Sequence, residues 1–139
     1  MSPFVIGAFL VLHGLITTMI GSGAVSNGPA MALPSWFGWW PGTFGRSWLI
    51  DGLNLGAPVA LLGGLVWLVS GILLIAAGLG FLGVVPLRDA WPTYAVVGGG
   101  LGLVAVALYF HPLYLAAVGI NLALVTLAWG QLGTTHLAQ

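Results

Sequence analysis

Polar side chains interrupt the long apolar stretches of this 139-residue chain, and the types and positions of five of them could support chemistry. They are His13, Thr17, Ser70, Asn121 and Thr126. In the apolar stretches that contain them, His13, Ser70 and Asn121 occupy similar central positions, and Thr17 follows His13 by one helical turn. A polar group in the hydrocarbon core of a bilayer is costly to leave unpaired. We therefore expect these side chains to meet, with His13 hydrogen-bonded to Asn121 and Ser70 nearby.

Such a polar cluster is compatible with four roles. It could join helices by hydrogen bonds, form the polar floor of a site for a quinone-like or isoprenoid-like ligand, relay protons, or bind a metal or haem. A relay would lack a carboxylate within the membrane. A haem with two histidine ligands is awkward, because His111 lies at the end of a span and His136 in the tail. The sequence favours hydrogen bonding between helices first and a ligand floor second, and predicts no cofactor and no metal site.

Catalytic machinery is not evident in the sequence. The only charged side chains are Arg46, Asp51, Arg88 and Asp89, and the two carboxylates lie in different loops, where they cannot act as an acid–base pair. Cysteine is absent, which excludes thiolate chemistry and disulfides. No phosphate-binding or nucleophile motif occurs. We predict no catalytic residue, and the lack of a basic patch excludes nucleic-acid binding.

The composition indicates a chain that is surrounded by lipid rather than by water. Hydrophobic residues make up 60% of it and charged residues 3%, whereas soluble domains carry roughly 25% charged residues. Four stretches reach the roughly 20 apolar residues that a spanning helix needs. They cover about residues 3–20, 57–82, 94–110 and 113–131. The predicted fold is an all-α membrane protein, a four-helix bundle forming one integral domain over 1–139. The first span lacks preceding Lys or Arg, so we expect it to be retained.

Residues 21–56 form the one long predicted loop, which is rich in tryptophan. Its candidate interfacial residues are Trp36, Trp39, Trp40, Arg46, Trp48 and Asp51. Tryptophan favours the membrane interface, so we expect the loop to anchor the end of the bundle there. A lid over a site between the spans and a platform for a carbohydrate or aromatic ligand are the alternatives. Ser47 is a candidate cap for a short helix from Trp48 to Leu55.

Small residues predict where the spans approach each other. Gly64, Gly71 and Gly78 recur every seven residues on the second span, and the third span carries a glycine cluster over 98–102. Small side chains let helix backbones come close in lipid. We therefore expect the second and third spans to be in close contact through these glycines.

Several short motifs together carry a resemblance that covers most of the chain. They are Leu12-His13-Gly14-Leu15-Ile16, Gly45-Arg46-Ser47-Trp48-Leu49, Leu65-Val66-Trp67-Leu68, Phe110-His111-Pro112 and Gly119-x-Asn121. With them the chain resembles an uncharacterised family of small bacterial four-span membrane proteins and, more distantly, the DoxX-like superfamily. The resemblance implies a four-span fold and a membrane-embedded partner of redox or quinone-linked systems.

These observations leave three classes of function open. The first is a structural or accessory subunit without catalytic activity, as a homo-oligomer or within a larger membrane complex. The second is a binder of a lipophilic small molecule at the polar cluster, and the third a small transporter or channel. We expect a multi-pass protein of the bacterial inner (cytoplasmic) membrane, in contact with membrane lipids. Arg46 and Arg88 lie in consecutive loops, hence on opposite sides of the membrane, so the distribution of positive charge does not fix the orientation. We place the termini inside and the tryptophan-rich loop outside.

Overall fold

The structure is a computed structural model that describes residues 2–25, 39 and 44–136, without the side chains of 49 and 134–136. Its helices are α1 Pro3–Val25, α2 Trp48–Gly52, α3 Ala57–Phe81, α4 Trp91–Leu108 and α5 Leu115–His136, with a 3-10 turn at Pro112–Tyr114 leading into α5. The described ranges contain no strand. Four of the helices are long and apolar enough to cross a membrane. The predicted all-α, four-span architecture is confirmed, and the chain is a multi-pass membrane protein.

The helix ends differ from the predicted spans by a few residues, for local reasons. Helix α4 begins at Trp91 rather than near residue 94, because Pro92 occupies its first turn, where a missing N–H costs nothing and the proline φ is already helical. Helix α1 continues to Val25, beyond the predicted end near residue 20. Its last turn packs on α3, since Val25 lies against Gly64. Packing thus extends α1 past its most apolar stretch.

The long helices pack in the order α1, α3, α4, α5. Extensive backbone contact joins α1 to α3, α3 to α4 and α4 to α5, whereas α1 and α5 approach each other far less closely. Short helix α2 lies against α4. The bundle therefore has three tight seams and one loose seam, between α1 and α5. The loose seam is where the candidate site lies.

The tightest seam is built from glycines facing glycines, and it corrects the predicted contact. A Cβ atom on Gly71 would lie 2.8 Å from the carbonyl oxygen of Gly14, and one on Gly78 would lie 2.9 Å from that of Gly7. Gly21 meets Leu68 in the same way. The stripe on α3 thus packs on α1, and the prediction that it faces the third predicted span was wrong. Helix α1 carries the same seven-residue glycine repeat, which the prediction did not use.

The neighbouring face of α3 makes the contact with α4. Ser70 lies against Gly98 and Gly102, and Gly63 accommodates the ring of Tyr109. The glycine cluster of α4 therefore does meet α3, as predicted, but through the row of small residues beside the Gly64–Gly71–Gly78 stripe. Close approach on two adjacent faces makes α3 the centre of the bundle.

Candidate functional site

The hydrogen bond predicted between the first and last spans is present. Nε2 of His13 lies 3.0 Å from Oδ1 of Asn121, and both side chains are buried, with 9% and 2% of their surfaces exposed. With this amide oxygen as acceptor, Nε2 of His13 is the donor of the bond. The bond connects α1 to α5 across the loose seam of the bundle.

Ser70 enters the same buried space because Gly102 has no side chain. A Cβ atom at position 102 would lie 2.6 Å from Nδ2 of Asn121 and 3.0 Å from Oγ of Ser70. The Ser70 hydroxyl itself donates to the carbonyl oxygen of Gly98 at 2.8 Å. His13, Asn121 and Ser70 thus converge as the sequence predicts, and Gly102 is the residue that the sequence reasoning treated only as a packing position.

The two threonines of the predicted cluster behave differently. Thr17 is buried beside His13, but its hydroxyl donates to the His13 carbonyl oxygen of its own helix at 2.8 Å. Thr126 is exposed and its hydroxyl donates to the carbonyl oxygen of Leu122. The structure does not place Thr126 in the cluster. It lies five positions after Asn121, which turns it by roughly 140° around the helix axis and away from the interior.

A cleft of about 240 Å³ lies along the loose seam. Its lining includes His13, Thr17 and Ile20 of α1, Trp67 of α3, and Ile120 of α5. Its rim includes residues whose side chains are exposed on the membrane-facing surface, such as Ile16 and Ala116. The cleft is therefore mostly apolar and accessible from the bilayer, with the imidazole of His13 in its wall.

Two buried donors in this wall were missed by the sequence reasoning. Trp67 and Tyr114 are almost fully buried, with 2% and 3% of their surfaces exposed. Even so, Nε1 of Trp67 and the hydroxyl of Tyr114 have no hydrogen-bond partner within the described part of the chain. The backbone N–H of Gly45 lies near the Tyr114 oxygen, but an N–H can only donate and leaves the hydroxyl proton unused. The sequence analysis named Trp67 only as part of a motif and did not single out Tyr114.

Aromatic side chains close the loop-side end of the cleft. Phe44 stacks on Tyr114 with ring centroids 4.9 Å apart and meets the edge of His111 at 5.5 Å. Nδ1 of His111 accepts a hydrogen bond from the Leu113 N–H at 3.2 Å. Burial lowers the pKa of His111, which favours the neutral imidazole that this acceptor role needs. His111 therefore shapes the corner before α5, at the end of the span where the sequence places it.

The structure describes only part of the predicted interfacial loop, residues 21–25, 39 and 44–56. Trp36 and Trp40 lie outside the described residues. Trp39 is exposed, and Nε1 of Trp48 donates to the Ala107 carbonyl oxygen at 2.9 Å. Arg46 and Asp51 line a small pocket of about 50 Å³ together with Tyr109, whose pKa is raised by burial and by the nearby Asp51 carboxylate. Anchoring of the whole loop at the interface stays a prediction.

Ser47 attaches the described end of this loop to α4. Its Oγ accepts a hydrogen bond from the Ile50 N–H at 3.0 Å and donates to the Leu108 carbonyl oxygen at 2.6 Å. The predicted helix cap is confirmed, although α2 ends at Gly52. The predicted end was Leu55, but Asn54 has a left-handed φ of 50° and cannot continue the helix.

Replacing Ser47 by alanine should release this attachment. Loss of a serine cap costs about 1 kcal/mol, and the Leu108 carbonyl would lose its hydroxyl donor as well. We expect a lower melting temperature in detergent and faster proteolysis within residues 44–56. Ser22→Ala is the matched control, because its exposed hydroxyl donates to the Met19 carbonyl oxygen of its own helix. Equal behaviour of the two variants would show that the cap does not hold the loop.

Comparisons of the chain with known protein families, with curated proteins and with solved structures gave no match. The class that the fold defines is that of four-span α-helical membrane proteins.

Proposed function

We propose that this protein binds a lipophilic small molecule in the cleft between α1 and α5. The carrying observation is the cleft itself, an opening of about 240 Å³ whose wall combines apolar side chains with His13 and Thr17. A larger pocket of about 460 Å³ lies where α1 ends and α3 begins, but the described residues that line it carry only apolar side chains. Protein interiors are close-packed, so a bundle without a ligand would be more stable if side chains filled the cleft. Here the lining is apolar apart from a few polar groups, the usual composition of a small-molecule site.

The polar cluster supports this function by keeping the seam at a fixed width. The His13–Asn121 hydrogen bond spans the seam at the inner part of the cleft, and the small residues of α4 leave room for both Asn121 and Ser70. The cluster then serves both roles considered from the sequence: it joins the helices and it forms the polar floor of the site. The resemblance to DoxX-like proteins would make a redox-linked or quinone-like ligand a consistent case. The setting that we propose is the bacterial inner membrane.

Filling the cleft should displace its ligand. Ala117 lines the cleft and is partly buried, so Ala117→Phe places a ring in the opening. We expect native mass spectrometry of the protein released from nanodiscs to show occupancy by co-purified lipophiles reduced roughly tenfold or more, equivalent to at least about 1.4 kcal/mol. Ala123→Phe on the exposed face of α5 is the control and should retain the ligand. Equal occupancy in both variants, or no bound lipophile in the parent, would contradict the proposal.

A second candidate function is that of a subunit in a homo-oligomer or larger membrane complex. It is supported by α5, of which only 17% is buried within the chain, half the fraction of the other three long helices. Its exposed face carries large side chains, including Leu127 and Trp129. The same native mass spectra report the mass of the assembly. A protein that remains monomeric at every detergent concentration would exclude this role.

A further inference from the structure

Trp67 and Tyr114, two residues of the cleft wall, carry buried hydrogen-bond donors without a partner in the described part of the chain, and these donors indicate the chemistry of the ligand. An indole N–H is a donor only, and the hydroxyl of Tyr114 has a proton without an acceptor in the described part of the chain. Leaving a buried donor unpaired is unfavourable, more so where no water is available to replace the partner. Two such donors in one wall indicate a place where a bound acceptor completes the structure.

The side chains that carry the two donors pack against each other. The rings of Trp67 and Tyr114, two residues that line the cleft, are 5.4 Å apart between centroids. Both donor atoms are covered by neighbouring atoms, so a ligand oxygen reaches them only where those neighbours turn aside. Trp67 packs beside Gly21, eight residues along α1 from His13, which is roughly 12 Å at the helical rise. Trp67 and Tyr114 therefore mark the loop-side end of the cleft, where Phe44 stacks on Tyr114, and the imidazole of His13 lies further into the membrane.

We infer that the ligand is a lipophilic molecule with a carbonyl oxygen at one end, held by the Trp67 N–H and the Tyr114 hydroxyl. This inference rests on the proposed function and adds the chemistry of the ligand to it. A carbonyl oxygen has two lone pairs and no proton, so it accepts from both groups at once, whereas an alcohol or amine brings a proton of its own. The apolar remainder of the molecule lies along α1 and α5 towards His13.

The chemistry could come from a free ketone-like molecule or from the ester carbonyl of a membrane lipid. The test uses the full-length protein in nanodiscs and two probes carrying carbon-13 at the carbonyl: 2-undecanone added to unlabelled lipid, and a phosphatidylcholine labelled at its ester groups. Infrared difference spectra report hydrogen bonding, because a carbonyl that accepts hydrogen bonds absorbs at lower wavenumber. Undecane, which has the same chain without the oxygen, competes for the apolar part of the cleft alone.

Tyr114→Phe removes only the hydroxyl, and Trp67→Phe removes the N–H. We expect each to lower the affinity for 2-undecanone roughly three- to tenfold, the range of one neutral hydrogen bond, and to reverse part of the infrared shift, while undecane binds equally to all variants. Tyr94→Phe on α4 and Trp129→Phe on the exposed face of α5 are matched controls and should behave like the parent.

The outcomes separate the two proposals. A shifted band only in the labelled lipid supports the carbonyl site and assigns it to a lipid ester. An unshifted ketone that binds with equal affinity to the parent and to Tyr114→Phe overturns the carbonyl inference and leaves the binding cleft standing. If neither 2-undecanone nor undecane binds more tightly to the parent than to the cleft-filling Ala117→Phe variant, the proposed function itself fails. Each comparison uses variants that melt at the temperature of the parent, so that a lost affinity does not reflect a lost fold. Trp67→Phe tests the same site independently of Tyr114→Phe.

Discussion

Replacing Gly71 by alanine is expected to force α1 and α3 apart and to lower the free energy of unfolding by about 1–3 kcal/mol, the usual cost of overpacking. The new Cβ atom would lie 2.6 Å from the backbone nitrogen of Thr18 and 2.8 Å from the carbonyl oxygen of Gly14. Both are backbone atoms, which cannot rotate away as a flexible side chain can. The helices must separate, and their contacts above and below Gly71 weaken with them.

Gly100→Ala is the matched control for this experiment. Gly100 is also a glycine within a spanning helix, but no atom outside its own helix lies within 4 Å of the position that its Cβ would occupy. Alanine has a higher helix propensity than glycine by about 1 kcal/mol, so this variant should melt at or above the temperature of the parent. Thermal unfolding in one detergent, followed by the loss of monodisperse protein, compares the two. Indistinguishable melting temperatures would mean that Gly71 does not face α1.

A second alanine in the same seam tests the register. The Cβ atom of Gly14→Ala would lie 2.7 Å from the backbone nitrogen of Ile75 and 2.8 Å from the Gly71 carbonyl oxygen. Once the helices have separated to accept one methyl group, the second costs less. The double variant should therefore lose less stability than the sum of the two single variants. Strict additivity would indicate that the two glycines do not share one contact.

Removing either partner of the His13–Asn121 hydrogen bond is expected to destabilise the bundle by about 1–3 kcal/mol, because the remaining buried group loses its partner. The double variant His13→Ala/Asn121→Ala should cost less than the sum of the singles. The coupling should be roughly 0.6–1.7 kcal/mol, the range for side-chain hydrogen bonds between membrane helices. Denaturation by graded sodium dodecyl sulphate in mixed micelles measures all three variants. Thr126→Ala, on the exposed face of α5, is the control and should change stability by less than about 0.5 kcal/mol.

The same variants distinguish a structural cluster from a ligand floor. If His13→Ala and Asn121→Ala fold with parental stability but lose the co-purified lipophile, the cluster acts on the ligand rather than on the bundle. If they lose stability and their effects couple, the hydrogen bond joins α1 to α5 as the structure describes. Additive losses from both substitutions would contradict a direct interaction between the two side chains.

The sequence by itself determined the solvent, the class of fold and the depth of each polar group. With so few charged residues the chain requires lipid, and backbone groups in lipid must pair within each segment, so four apolar stretches become four helices. Each residue advances about 1.5 Å along a helix, so position in a span translates into depth. For this reason the meeting of His13, Ser70 and Asn121 could be predicted from their positions along the chain alone.

Only the tertiary structure decided which helices are neighbours and how each is rotated about its axis. The glycine stripe containing Gly71 could pack on any partner with a matching repeat, and α1 has that repeat. Thr126 has a suitable depth but faces outward, because rotation of α5 is fixed by Asn121 entering the space at Gly102. The cleft and its donors Trp67 and Tyr114 arise from the loose packing of α1 and α5. Depth follows from counting residues along one helix, whereas rotation and neighbours follow from how all four helices pack together.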